Sequence, residues 1–103
     1  MNYTCVTTLK KIQGYLAGAA IVAFDFETSP TEEYRSEDRA ALDAHKSVIT
    51  GVSFSVSEGS AIYVPLRHRV GRNIQKSEAV MDYLRTAVFE NAAIIKVAHN
   101  LAF

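Results

Sequence analysis

The sequence predicts a mixed α/β sheet with flanking helices, and two observations lead to that fold class. The first is a period-two alternation in residues 48–56, where Val52, Phe54 and Val56 alternate with serines, as in a strand with one buried face. The second is the order of the predicted elements, which is helix, strand, strand hairpin, helix and strand. A hairpin beside one strand, followed by a crossover helix and a parallel strand, gives a mixed sheet.

The first predicted helix runs from a cap at Thr8 to about Leu16. Its apolar side chains recur at helical spacing, and its inner face consists of Leu9, Ile12, Tyr15 and Leu16. Gly18 ends the helix, because glycine adopts the left-handed backbone of a helix C-terminus at little cost. The apolar residues 21–26 then predict a buried strand.

A polar stretch at residues 30–45 follows this strand and predicts a mobile loop, with a short helix over 38–44. The alternating strand comes next along the chain. Glu58 and Gly59 predict a turn after it, and residues 61–65 return as the second strand of a hairpin.

The second predicted helix begins with Ser77 as its N-cap and with Glu78 near its positive N-terminus. Asn91 is its predicted C-cap. The inner stripe of the helix consists of Val80, Met81, Leu84 and Val88. Residues 93–98 predict another buried strand, and residues 99–103 begin a further element.

The composition indicates a globular protein without a strong overall attraction to nucleic acid. Of its 103 residues, 49% are hydrophobic and 21% are charged, which is ordinary for one soluble domain. Eleven basic residues balance eleven acidic ones, so contacts with nucleic acid must come from local patches. A single cysteine, Cys5, excludes an intrachain disulfide and fits a reducing cytoplasm. The apolar run at residues 14–24 is too short to cross a membrane, so we expect a cytoplasmic protein without a membrane partner.

Asp25 and Glu27 are the residues of most chemical interest, because they lie two apart on a predicted strand. At that spacing their side chains point to one face, while Phe24 and Phe26 point to the other. Two neighbouring carboxylates repel each other, and a divalent cation removes that penalty. Mg²⁺ and Mn²⁺ prefer oxygen ligands, and two such ions about 3.5–4 Å apart can activate water for phosphodiester cleavage. On the pair alone, a strand end that points into solvent is the more common explanation.

Three stretches of the chain carry a family resemblance. Residues 24–29 read FDFETS, residues 49–55 and 61–66 read ITGVSFS and AIYVPL, and residues 99–103 read HNLAF. In this order and spacing they resemble the first motif, the following strand hairpin and the start of the second motif of a known family. That family is the 3'→5' exonuclease (proofreading) domains of family A DNA polymerases, the DNA polymerase I type, within the DEDD exonuclease group.

The resemblance implies an RNase H-like mixed sheet with flanking helices. In a complete domain it implies hydrolysis of terminal phosphodiesters with two Mg²⁺ or Mn²⁺ ions. Asp25 and Glu27 would be catalytic and hold the metal, with Glu27 also near the attacking water or the terminal 3'-hydroxyl. The residues implied to contact a single-stranded DNA 3' end are Thr28, Leu42, Asn100 and Phe103. If Leu42 is the counterpart of a leucine that wedges against the terminal bases, residues 30–41 are an insertion.

The chain also departs from the family's pattern. The second-motif aspartate would come directly after Phe103, and the third motif with its final aspartate is absent too, so only two of four expected carboxylates are present. We therefore expect residues 1–103 to be the truncated N-terminal part of a single exonuclease-like domain of a bacterial or phage parent. Alone, it should bind metal weakly, lack exonuclease activity and expose apolar surface that favours self-association. Its other expected partners are the missing exonuclease and polymerase regions.

Several further residues have two interpretations. The loop after the hairpin has a basic patch of Arg67, His68, Arg69 and Arg72, and its three arginines are the candidates for contact with DNA. Contact with a DNA backbone and a solvated loop are equally open for this patch. Nothing in the sequence puts His68 near the carboxylates. The aromatic residues expected in the core are Phe54, Tyr63 and Phe89.

Two other functions stay open. One is a non-catalytic domain of the same fold, and the presence of both Asp25 and Glu27 argues against it. The other is an RNA-processing exonuclease of the same superfamily. The hairpin with Gly51, Tyr63 and Pro65 favours the polymerase version, but charge and spacing do not separate DNA from RNA.

Overall fold

The computed structural model of the chain describes residues 2–30, 47–68 and 71–99. Within these ranges the elements are β1 (Asn2–Cys5), α1 (Leu9–Leu16), β2 (Ile21–Pro30), β3 (Ser47–Ser57), β4 (Ser60–Pro65), α2 (Ser77–Leu84) and β5 (Ile95–His99). A π-helical segment, Arg85–Phe89, continues α2. The predicted short helix over 38–44 lies outside the described residues, as does nearly all of the predicted insertion.

The described strands form one five-stranded sheet in the order β1-β4-β3-β2-β5. β3 pairs antiparallel with both β2 and β4, whereas β5 is parallel to β2 and β1 is parallel to β4. The predicted mixed α/β fold is therefore confirmed, and this arrangement is compatible with an RNase H-like fold. β1 is not among the predicted elements, because four residues are too few for an alternating pattern to stand out.

One face of the sheet packs with the helices into a single core. The strands contribute Val22, Phe24, Val52, Phe54, Ile62 and Val64, and the helical segments contribute Ile12, Leu16, Val80, Leu84 and Val88. Phe89 joins this core through its ring, whose centroid lies 5.0 Å from that of Phe24. The predicted core positions of Phe54 and Phe89 are confirmed.

The opposite face of the described sheet is open at β2 and β5. Ile21 is 52% exposed, and Ile95 and Val97 are 61% and 53% exposed. The prediction that residues 21–26 and 93–98 are buried strands is therefore wrong for one face of each. An apolar run does not reveal which face a helix covers, and the core gathers the side chains of both helices on the other face.

The first helix agrees with its prediction. Thr8 is its N-cap and accepts a hydrogen bond from the Lys11 backbone N–H at 3.4 Å. Gly18 follows the helix in the left-handed region, with a φ of 73°. Ile12 and Leu16 are buried, so the predicted inner face is confirmed as well.

The second helix differs from its prediction at three positions. Its N-cap is Lys76, which has a left-handed backbone (φ 52°) and no side-chain capping bond, so Ser77 is the first helical residue rather than the cap. Met81 is 40% exposed, because the inward stripe runs at intervals of four through Val80, Leu84 and Val88. The C-cap is Glu90, since the π-helical turn shifts the helix end. Asn91 comes one residue later and donates from Nδ2 to the Ala87 carbonyl oxygen at 3.2 Å.

The turn at Glu58 and Gly59 is confirmed, with Gly59 at a φ of 78°. Neither helix in the described ranges has the length and hydropathy that crossing a membrane requires.

Candidate active site

The sequence had suggested that the two carboxylates lie at the end of a strand. In the structure both lie within β2. β2 continues to Pro30 because β3 pairs with it as far as Ser47. Phe24 packs in the core and its ring contacts Phe26 at 5.5 Å between centroids. Since strand side chains alternate, Asp25 and Glu27 lie together on the opposite, open face.

β2 is an interior strand of the described sheet, with β3 on one side and β5 on the other. β5 pairs with β2 as far as Asp25, and β3 pairs with it beyond Glu27. Asp25 pairs with Ser53 of β3 and with His99 of β5. Glu27 pairs with Gly51 of β3. Asp25 is half-buried, whereas Glu27 is exposed.

A β-bulge follows Glu27 directly. Glu27 pairs with Gly51 and Thr28 pairs with Ile49, so Thr50 is the extra residue on β3. The Thr50 hydroxyl donates to the Glu27 carbonyl oxygen at 3.2 Å. The Thr50 carbonyl oxygen accepts from the backbone N–H groups of Leu66 and Arg67 at 2.8 and 3.0 Å. Through these hydrogen bonds, Thr50 holds the start of the loop after β4 beside Glu27. Bulges often redirect side chains next to active sites.

Tyr63 reaches Glu27 across β3. A Cβ atom at Gly51 would lie 1.9 Å from the Tyr63 hydroxyl oxygen, so only the missing side chain leaves room for the ring. The Tyr63 hydroxyl donates to Glu27 Oε2 at 3.2 Å. Tyr63 is 9% exposed, and burial together with the Glu27 charge raises the pKa of its phenol. Tyr63 is therefore buried as predicted, but beside the carboxylate pair and not within the core of the other face.

His68 also lies near the carboxylates, although nothing in the sequence indicates it. Its Nε2 atom lies 2.5 Å from the Tyr63 hydroxyl oxygen. Asn73 holds the His68 backbone on both sides, accepting from its N–H at 2.7 Å and donating to its carbonyl oxygen at 3.0 Å. His68 is thus linked to Glu27 through the side chain of Tyr63.

One feature of the sequence could have revealed this cluster. A glycine inside an alternating strand indicates a bulge or the close approach of another group, and Gly51 has both a bulge beside it and the Tyr63 ring above it.

The remaining predicted site residues divide into two groups. Thr28 is half-buried on β2 just after the bulge, and Arg67 and Arg72 are exposed on the loop after β4. The others lie outside the described residues, and they are Leu42, Arg69, Asn100 and Phe103.

Asp25 and Glu27 offer only oxygen ligands to a cation, which is the donor chemistry that Mg²⁺ and Mn²⁺ prefer. Mg²⁺ often takes one or two carboxylates from the protein and completes its coordination with water and substrate phosphate. Two carboxylates on an open face fit this pattern. Across the described part of the chain, no three His, Cys, Asp or Glu side chains come together as a metal site.

The chain is similar in sequence to two DNA polymerases. It is 40% identical over 60 residues to DNA polymerase I of Pseudomonas aeruginosa, which covers 58% of this chain and 5% of that protein. It is 40% identical over 68 residues to a DNA-directed DNA polymerase of Pseudomonas phage M6, which covers 66% of this chain and 10% of that protein. No protein-family profile matches the chain. The chain is therefore related to bacterial and phage DNA polymerases, and it spans a tenth or less of the length of these two relatives.

Proposed function

We propose that this chain supplies the first two metal-binding carboxylates, Asp25 and Glu27, of a 3'→5' exonuclease site that acts on single-stranded DNA ends. The observation that carries the proposal is the pair itself: two carboxylates two residues apart on the open face of an interior strand. Two carboxylates on one face of a strand repel each other, and a divalent cation bound between them removes that repulsion.

The strand beside Asp25 supports the same proposal. β5 pairs with β2 so that the His99 backbone lies opposite Asp25. Asn100 follows His99 directly in the sequence, and Phe103 comes three residues after Asn100. In the family that the chain resembles, this stretch begins the second motif and contacts the terminal nucleotide. We propose these roles for Asn100 and Phe103, together with contacts of Thr28 and Leu42 to the substrate end.

The relation to DNA polymerases favours DNA as the substrate. The loop after β4 begins beside Glu27, because its first backbone N–H groups donate to the Thr50 carbonyl oxygen. Arg67 and Arg72 are exposed on this loop. An exposed arginine at the start of this loop, with a second one further along it, fits contacts with the phosphates of an incoming strand.

Asp25 and Glu27 would hold Mg²⁺ or Mn²⁺ through their carboxylate oxygens. A bound ion of this type stabilises developing negative charge and makes bound water a better nucleophile. Because the chain provides two carboxylates of the expected four, we propose that the reaction also needs residues beyond this set.

The test is a time course with 5'-labelled single-stranded DNA in Mg²⁺ or Mn²⁺. It compares this chain, a form carrying further exonuclease sequence after Phe103, and that longer form with Asp25→Ala. We expect a ladder that shortens from the 3' end only in the longer wild-type form. Asp82→Ala is the matched control, because Asp82 is an exposed aspartate on α2 that pairs with Arg85 at 3.5 Å.

Each outcome separates one alternative. A ladder from this chain alone that Asp25→Ala abolishes would contradict the proposal that the site needs further residues. An absence of degradation by every form would favour a non-catalytic domain. Faster hydrolysis of a matched RNA oligonucleotide would favour an RNA-processing exonuclease.

A further inference from the structure

Three side chains on the carboxylate face form a continuous chain of hydrogen bonds. Glu27 Oε2 lies 3.2 Å from the Tyr63 hydroxyl oxygen, which lies 2.5 Å from His68 Nε2. We call this set, Glu27, Tyr63 and His68, the tyrosine bridge. It joins β2 to β4 and to the loop that follows β4, across 36 residues of sequence between Glu27 and Tyr63.

The direction of each hydrogen bond follows from the chemistry of the groups. A carboxylate only accepts, so the Tyr63 hydroxyl hydrogen is committed to Glu27. The Tyr63 oxygen then meets His68 as an acceptor, and His68 must carry its hydrogen on Nε2. The bridge thus requires one tautomer of His68, with hydrogen bonds that run from His68 through Tyr63 to Glu27.

Each part of the tyrosine bridge has its own support. The Tyr63 ring is buried above Gly51, which leaves it little freedom to turn. The rings of Tyr63 and His68 make an edge-to-face contact, with 5.5 Å between their centroids and an interplanar angle of 79°. The two hydrogen bonds from Asn73 hold the His68 backbone. A rigid donor is therefore presented to a carboxylate that is otherwise exposed.

We infer that Tyr63 is a positioning residue for Glu27, that His68 in turn positions Tyr63, and that the bridge holds Oε2 so that Oε1 is presented to a divalent cation. The inference rests on the proposed role of Glu27 as a metal ligand. An exposed glutamate has several rotamers, and fixing one of them before the ion arrives removes part of the entropy lost on binding. Hydrogen-bonded partners of metal-binding carboxylates act in this way in many proteins.

The experiment measures two properties of the 103-residue chain. The first is the tautomer of His68, which its ¹⁵N chemical shifts report because the two ring nitrogens are distinct. The second is the affinity for Mn²⁺ alone, measured by the paramagnetic relaxation of water. The variants are Tyr63→Phe, His68→Leu and His68→Gln. Tyr83→Phe is the matched control, because it removes the same hydroxyl from a half-buried tyrosine on α2.

We expect the wild type to carry its hydrogen on His68 Nε2. Tyr63→Phe should weaken Mn²⁺ binding about tenfold, the lower end of the range for groups that orient a metal ligand. His68→Leu should weaken it less, and His68→Gln should restore it, because the glutamine amide N–H reaches a position close to that of Nε2. Tyr83→Phe should bind as the wild type does.

Two results would overturn the inference. Hydrogen on Nδ1 of His68 would reverse the hydrogen bond to Tyr63, leaving no donor for Glu27. Equal Mn²⁺ affinity in the wild type, Tyr63→Phe and His68→Leu would show that the bridge does not orient the ligand, while the proposed function would survive. Failure of the wild type to bind Mn²⁺, with Nε2 protonated, would instead reject the metal role of Glu27 and keep the bridge as a structural feature. If Tyr63→Phe does not fold, the loop variants of His68 still decide between these results.

Discussion

At the scale of single residues, the site depends on the absence of a side chain at Gly51. Its position on β3 lies beneath the Tyr63 ring, and a Cβ there would be 1.9 Å from the hydroxyl oxygen. Gly51→Ala must therefore displace Tyr63 from Glu27. We expect a loss of about 1–3 kcal/mol in the free energy of unfolding, as for other overpacked sites.

Gly14→Ala is the control for that substitution. Gly14 lies in α1, and nothing comes within 4 Å of the position that its Cβ would occupy. Alanine there should raise the free energy of unfolding by about 0.5–1 kcal/mol, because alanine has a higher helix propensity than glycine. Urea unfolding of both variants measures the difference. A Gly51→Ala variant as stable as the wild type, with the Tyr63 resonances unshifted, would contradict the close approach.

The Tyr63 phenol predicts a dependence of stability on high pH. Burial, and then the Glu27 charge, raise its pKa above the ordinary value of 10.0. The folded state therefore keeps a proton that the unfolded state releases. This contribution to stability is fully present below pH 10.0 and is lost as the pH rises toward the higher folded pKa.

We expect the wild type to lose stability above pH 10 by up to about 1.4 kcal/mol per pH unit more than Tyr63→Phe does. Urea unfolding at a series of pH values measures this slope. Tyr3→Phe is a necessary comparison, because burial and the charges of Glu27 and Cys5 also raise the pKa of Tyr3. Equal slopes for the wild type and Tyr63→Phe would mean that the phenol is not shielded as the structure has it.

Local chemistry explains which residues of the site could be predicted. Asp25 and Glu27 are visible because their spacing matches the period of a strand. Tyr63 and His68 are not visible as partners of Glu27, because the contact crosses from β4 over β3 to β2. Neighbours across a sheet depend on strand order and register, which the alternation of a single strand does not specify.

At the scale of elements, the two helices begin in different ways. The Thr8 side chain accepts from the Lys11 backbone N–H, whereas Ser77 is already helical and Lys76 holds the cap position. We therefore expect Thr8→Ala to cost about 1 kcal/mol of stability, as is usual for the loss of an N-cap. Ser77→Ala should change stability by only a few tenths of a kcal/mol in either direction, since alanine is the better helix former.

Thermal or urea unfolding of these two variants measures the contrast. Thr8 and Ser77 both have a hydroxyl side chain and are both N-cap candidates by sequence, so their alanine variants form a matched pair. A larger loss from Ser77→Ala than from Thr8→Ala would contradict the start of α2 at Ser77. The physical reason for the difference lies in the backbone, because the left-handed Lys76 turns the chain into the helix without a side-chain cap.

At the scale of the whole molecule, the open face of β2 and β5 is the largest departure from the sequence-based expectations. Val97 is 53% exposed on β5, which forms one edge of the described sheet. An edge strand with apolar side chains can pair with another chain. The expectation that apolar surface favours self-association therefore becomes testable at this strand.

We expect the sedimentation coefficient of the wild type to rise with protein concentration, and Val97→Lys to suppress that rise. Met81→Lys is the matched control, because Met81 is an exposed apolar residue (40%) on α2, outside the sheet. Sedimentation velocity over a range of concentrations measures both. A wild type that sediments as a monomer throughout, or equal suppression by Met81→Lys, would reject association through β5.

Periodicity along the chain determined the carboxylate pair and the elements other than β1, because these follow from contacts between residues close in sequence. The order of those elements then predicted the mixed sheet. The alternation in β3 and the cap at Thr8 are examples in which local chemistry and the fold agree. Only the tertiary structure decided which face the helices cover, where β1 pairs, and that Tyr63 and His68 lie beside Glu27. Those features depend on the order of the strands and on the Tyr63 ring, which lies over Gly51. The periodic pattern of one segment does not specify its contacts with other segments of the chain.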